Sequence, residues 1–182
     1  MPSRALTQNE KILAQKIFGN SIKYNDVLIF NEKYAFFQPS ESGMTPNGNI
    51  YIDGKKEVID YGSMSIAAEN RGFFIHEMTH VWQKQNNVLN PIASAIANSI
   101  RHAFFYQESY KYTLEKNKDL LEYRMEQQAQ IIEDYTRITL LHLKPKLGFM
   151  QNKIRYSEAI TLFNSVLSKF IKDPSYPSTS SK

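Results

Sequence analysis

Apolar positions along this chain recur at about 3.6-residue spacing in some stretches and alternate in others, which divides it into helices and short strands. Ile12, Leu13, Ile17 and Phe18 share one helical face; Thr7 precedes them as an N-cap with Glu10 three residues on, and Gly19 and Asn20 stop the helix. After a frayed start and this helix, residues 26–30 (DVLIF) and 34–37 (YAFF) are β-prone runs that predict a small antiparallel pair. A turn at 45–48 (TPNG) leads into a third strand at 49–52, which could serve as an edge for an extended substrate. Ser63 or Ser65 can cap a helix running through Arg71 and Gly72 to Gln85. Residues 91–100 (PIASAIANSI) predict a packed helix or flap. The longest helical pattern spans 119–143, with Met125, Ala129, Ile132 and Tyr135 or Thr136 in register, and Pro145 and Gly148 end it. A last amphipathic helix is expected at 157–171. No repeat or internal boundary interrupts the order. The expectation is one predominantly helical α+β domain over residues 1–175 and a disordered polar tail at 176–182.

Composition narrows the chemistry. With 182 residues, 42% of them hydrophobic, the chain can bury a real core. No run approaches the 18 apolar residues of a membrane span, and the start, MPSRALTQNEKIL, lacks the basic-then-apolar layout of a signal peptide. The absence of cysteine rules out disulfides, thiolate metal ligands and a cysteine nucleophile. A net charge of +4, spread without a Lys/Arg block, gives no sign of nucleic-acid binding and reads as solvated surface.

The informative stretch is 73–85, FFIHEMTHVWQKQ, which places His76, Glu77 and His80 in the arrangement HExxH. Residues four apart stack one helical turn above each other, so two imidazoles at that offset can hold one Zn2+ ion, and Glu77 beside them can act as a base. Gly72, one turn before His76, leaves room for another segment to approach. A further ligand must be His, Asp or Glu, and the downstream candidates are His102, Glu108, Glu126, Glu133, Asp134 and His142. Asn86 stands where a metzincin would carry its third histidine, which excludes that pattern. Glu126 leads the remaining set, placed mid-helix with the small Ala129 on its face, and His102 follows. Glu133 is a candidate partner for a ligating histidine. Tyr106, Tyr110, Tyr112, His102 and Arg101 are candidates for stabilising an oxyanion or contacting substrate.

FFIHEMTHVWQKQ, the preceding MTPNGNIYI and the later EQQAQIIEDY together resemble the gluzincin-like metallopeptidase domains associated with bacterial type VI secretion, found near or fused to Vgr spike and Rhs proteins. The resemblance covers roughly residues 7–175. It implies a zincin-like fold and a zinc-dependent peptidase acting on peptide or protein, with His76, His80 and Glu126 as ligands and Glu77 as base. It also implies a toxic effector delivered out of the producing bacterium, with the periplasm as a candidate target compartment and an immunity protein as a candidate partner. One departure stands out: the thermolysin branch carries aspartate four residues after the glutamate ligand, and this chain has Gln130. No spike or Rhs repeat occurs in the 182 residues, so delivery would need a partner spike. Two other readings of the same centre are a peptidoglycan stem-peptide hydrolase and a non-enzymatic, zinc-braced adaptor.

Overall fold

The computed structural model describes residues 3–36, 38–54, 58–88, 108–146 and 148–179. Helix α1 (Gln8–Phe18) begins as its sequence requires, with Thr7 accepting from the Glu10 amide and the Glu10 carboxylate accepting from the Thr7 amide. That carboxylate is fully buried. Arg4 meets it with two N–H···O contacts of 2.9 Å, and the Tyr61 amide adds another at 2.9 Å. A buried charge is tolerated only when paired in this way, and the pairing draws the N-terminal strand, α1 and the 58–62 loop to one point.

The strands are β1 (Ser3–Ala5), β2 (Leu28–Phe30), β3 (Gly43–Met44) and β4 (Ile50–Ile52), ordered β1-β2-β4-β3. β1 runs antiparallel to β2, β2 parallel to β4, and β3 antiparallel to β4. The sheet is therefore mixed, where an antiparallel one was expected, and the supposedly frayed start supplies an edge strand. Residues 34–36 are not a strand. Gln38 accepts from the Tyr34 amide and donates to the carbonyls of Ser42 and Tyr51, which folds this connection back on itself and leaves Phe36 exposed. Strand β4 lies inside the sheet, with Ile50 and Ile52 in the core and Tyr51 stacked on Phe30 across the other face. The edge on that side belongs to β3.

Helix α2 (Ala68–Gln85) starts later than a Ser63 or Ser65 cap would place it, because those serines bond each other in the preceding bend. It is buried on nearly every side: Phe74, Ile75, Met78, Val81 and Trp82 all enter the core. The expected helix over 119–143 is broken. A single 3-10 turn, Leu120–Glu122, is capped by Asp119; Tyr123 and Arg124 are extended, and α3 (Met125–Thr139) begins only then. The kink is held by Gln128, which donates to the Tyr123 carbonyl, and by Gln127, which accepts from the Arg124 amide. Among the described residues, α2 and α3 form the largest interface between elements.

The last predicted helix divides at Leu167 into α4 (Tyr156–Val166) and α5 (Ser168–Lys172), whose Phe163 and Phe170 are buried. Residues 176–179, expected to be a free tail, form α6 (Tyr176–Thr179). This segment docks on the C-terminal end of α2, with Trp82 Nε1 donating to the Pro174 carbonyl and Ser178 to Asn86, while Tyr176 donates to Asp119. Among the described residues, no helix is long and apolar enough to cross a membrane.

Candidate metal centre

The side chains of His76 and His80 leave α2 one turn apart, with ring centroids separated by 5.0 Å. Glu126 comes from the opposing α3, as the second residue of that helix rather than mid-helix. Its Oε2 lies 3.4 Å from His76 Nε2 and 3.2 Å from His80 Nε2. Ligand atoms from all three residues lie within 4.8 Å of one another, and all three side chains are buried. Two imidazole nitrogens and one carboxylate oxygen converging on a point form a donor set suited to zinc. Each histidine also has an acceptor near its other nitrogen: Gln83 Oε1 is 2.8 Å from His80 Nδ1, and Glu133 Oε2 is 3.3 Å from His76 Nδ1. The Gln83 bond directs His80 Nε2 towards the common point, and Glu133 faces His76 Nδ1 without closing a hydrogen bond, so the residues fit the metal.

The electrostatics agree. Burial pushes His76 towards its neutral form, but the Glu126 and Glu133 carboxylates outweigh it and raise the pKa to about 10. His80 is raised on the same balance, burial being overcome chiefly by Glu126. Burial would raise Glu126, yet the two histidines hold it well below the usual carboxylate range. The metal-free cluster thus keeps protons between its bases, where a bound cation would replace them.

Glu133 sits one helical turn beyond Gln130 and makes the approach to His76 expected of an aspartate at position 130. Gln130 is fully buried with neither amide atom hydrogen-bonded. Arg137 Nη1 at 3.8 Å and Lys146 Nζ at 3.9 Å flank the far oxygen of Glu133. Gly72 faces α3, as its sequence position suggested, but the approach does not require a glycine: a Cβ there would meet Glu133 at 3.4 Å and Arg137 at 3.5 Å, ordinary contact distances.

Glu77 faces a cavity of about 270 Å3 whose lining includes Ser42, Gly43, His76, Tyr110 and Lys146. Thr45 Oγ1 donates to Glu77 Oε2 at 2.7 Å. A Cβ on Gly43 would lie 2.4 Å from Glu77 Oε1 and 2.8 Å from Phe73, so edge strand β3 passes against the Glu77 carboxylate only because glycine stands there.

The other sequence candidates separate clearly. The Tyr110 ring packs 5.5 Å from the His76 ring and lines the cavity. Tyr112 does not serve an oxyanion, because its buried hydroxyl donates to Asp134 at 2.7 Å. Asp134 also accepts from the Lys146 amide, so it is no ligand; burial raises its pKa to about 7. Glu108 pairs with Lys111 on the surface. His142 adopts a left-handed backbone beyond the end of α3 and does not join the metal-ligand cluster. Arg101, His102, Tyr106 and the 91–100 segment lie outside the described residues. Sequence reading missed Gly43, Thr45, Gln83 and Gln128. Only Gln83 carried a signal, three residues after His80 on the same helix.

No family model matches the chain. It is 39% identical over 133 residues, 72% of its length, to the type VI secretion system spike protein VgrG2b of Pseudomonas aeruginosa, and it spans 13% of that much longer protein. The solved structure of the effector domain of Pseudomonas aeruginosa VgrG2b superposes with a TM-score of 0.65 at 32% identity, covering 92% of this chain and 81% of that one.

Proposed function

This chain belongs to the family of the VgrG2b effector domain, and from that premise we propose that it is a zinc-dependent peptidase deployed as a type VI secretion effector. The observation that carries the reading is the convergence of His76 Nε2, His80 Nε2 and Glu126 Oε2 at one buried point beside the cavity that holds Glu77. A zinc ion held by those atoms would lower the pKa of water from about 15.7 to about 7 and polarise a carbonyl. Glu77 is the base: Thr45 engages its Oε2, which leaves Oε1 to take a proton and deliver it to the leaving amine. β3, the edge strand beside the cavity, offers main-chain groups along its wall, where an extended peptide can add as a further strand. Tyr110 stands at the same wall as the candidate donor to the developing oxyanion. Kinship with a spike protein supports delivery on such a spike.

The test is hydrolysis of casein and of purified peptidoglycan sacculi by the zinc-loaded protein. Cleavage of casein that Glu77→Ala abolishes while retaining zinc supports the reading. Cleavage of sacculi alone would move the substrate to wall peptides. Full activity in Glu77→Ala would overturn hydrolysis at this site.

A further inference from the structure

Gln83 lies fully buried on α2, and its amide bridges the two helices that carry the candidate ligands. Its Oε1 is 2.8 Å from His80 Nδ1, and its Nε2 is 2.9 Å from both the Met125 carbonyl and Gln128 Oε1. Which end of each amide points where follows from the backbone. A main-chain carbonyl only accepts, so Gln128 must turn its nitrogen to Tyr123 O, at 2.7 Å, and its oxygen to Gln83. The Met125 carbonyl and that oxygen both need a donor, so Gln83 gives them its nitrogen and gives His80 its oxygen. Flipping either amide would set two oxygens against each other in a buried place and leave each without a donor.

An amide oxygen cannot donate, so the hydrogen of this contact sits on His80 Nδ1. In neutral imidazole the lone pair is then on Nε2, the atom that faces Glu126 at 3.2 Å. Met125 immediately precedes Glu126, so the same amide also ties the first turn of α3 to His80. Building on the zinc reading above, we infer that Gln83 is the positioning residue of the centre: it locks His80 in the Nδ1–H tautomer and fixes the placement of Glu126 against it. Two backbone carbonyls thereby dictate, through two glutamines, which nitrogen of a histidine is offered to the metal.

The experiment measures zinc affinity by chelator competition and the imidazole 15N signals of the zinc-loaded full chain. The wild type should show His80 protonated at Nδ1 and metal-bound through Nε2. Gln83→Met keeps the volume and removes both ends of the bridge. It should weaken zinc binding about 10–100-fold and disturb the His80 signals while leaving those of His76 in place. Gln128→Met, which leaves the Met125 contact, should lose less. If Gln83→Met does not fold, Gln128→Met decides: with one of the two partners of Gln83 Nε2 gone, weaker zinc binding with the His80 signals disturbed more than those of His76 supports the inference, and unchanged affinity counts against it. Wild-type affinity in a folded Gln83→Met, metal on His80 Nδ1, or equal disturbance of both histidines would overturn it. A wild type that takes up no zinc removes the metal reading as well, whereas unchanged affinity in Gln83→Met removes this inference alone.

Discussion

Thr45 and Glu77 are joined by a buried 2.7 Å hydrogen bond that ties the Glu77 carboxylate on α2 to the turn between β3 and β4. A hydroxyl donating to one carboxylate oxygen fixes the direction of the other. Thr45→Val should lower kcat about tenfold, the equivalent of one ordinary hydrogen bond, with zinc content unchanged, and Thr45→Ser should restore it. Steady-state kinetics with metal analysis checks this.

The two glycines beside the site should respond oppositely. Gly43→Ala places a Cβ 2.4 Å from Glu77 Oε1, so either the base or β3 must shift, and activity should fall at least about tenfold with zinc still bound. Gly72→Ala meets Glu133 and Arg137 only at 3.4 and 3.5 Å, ordinary contact distance, and gains up to about 1 kcal/mol of helix propensity. Its thermal midpoint should stay level or rise. Activity assays and melting curves on the pair separate the cases.

Zinc uptake should release protons. With His76 raised to about 10 in the metal-free protein, the imidazole carries a proton at neutral pH that the metal must displace, so zinc affinity should climb as pH rises from about 6 towards 9. The fold without metal should show the opposite trend: the stability contributed by this pairing is complete below about pH 6.5 and is lost as pH passes through about 10. Glu133→Gln removes one of the carboxylates that hold the proton and should flatten the dependence, with about 10–100-fold weaker binding. Calorimetry in buffers of different ionisation enthalpy reads the proton count.

Asp134 should work against stability as pH rises. Burial, with Glu133 adding repulsion, lifts its folded pKa from 3.8 to about 7 despite the Tyr112 and Lys146 contacts. The native state therefore holds a proton that the unfolded chain has shed, and stability falls between about pH 4 and 7. Asp134→Asn keeps the shape and removes the charge. Relative to wild type it should gain about 1–3 kcal/mol between pH 5 and pH 8, measured by urea denaturation at each pH.

The reach of the sequence is clearest at residues 119–130. Thr7 and Glu10 announced α1 because a cap is a local device, and HExxH named His76, Glu77 and His80 because one helix carries all three. The spacing of Met125, Ala129 and Ile132 identified α3 and made Glu126 the leading third ligand. Periodicity could not see the break at Tyr123 and Arg124, because apolar spacing runs through it and the kink is held by the Gln127 and Gln128 side chains. The sheet was misread for a related reason: β1 pairs with β2 across the whole of α1, a relation no local pattern encodes. The contacts of Thr45 and Gly43 with Glu77 were unreadable, since a turn signal says nothing of what the turn will lean against.

Strand β3 is only two residues long. A ladder that short can clasp a visiting backbone at one or two rungs, each worth about 1 kcal/mol, so short linear peptides should come and go quickly. On the peptidase proposal, efficient cutting calls for a target that is unfolded or tethered nearby at high local concentration, and screens built on tight-binding oligopeptides would pass over it.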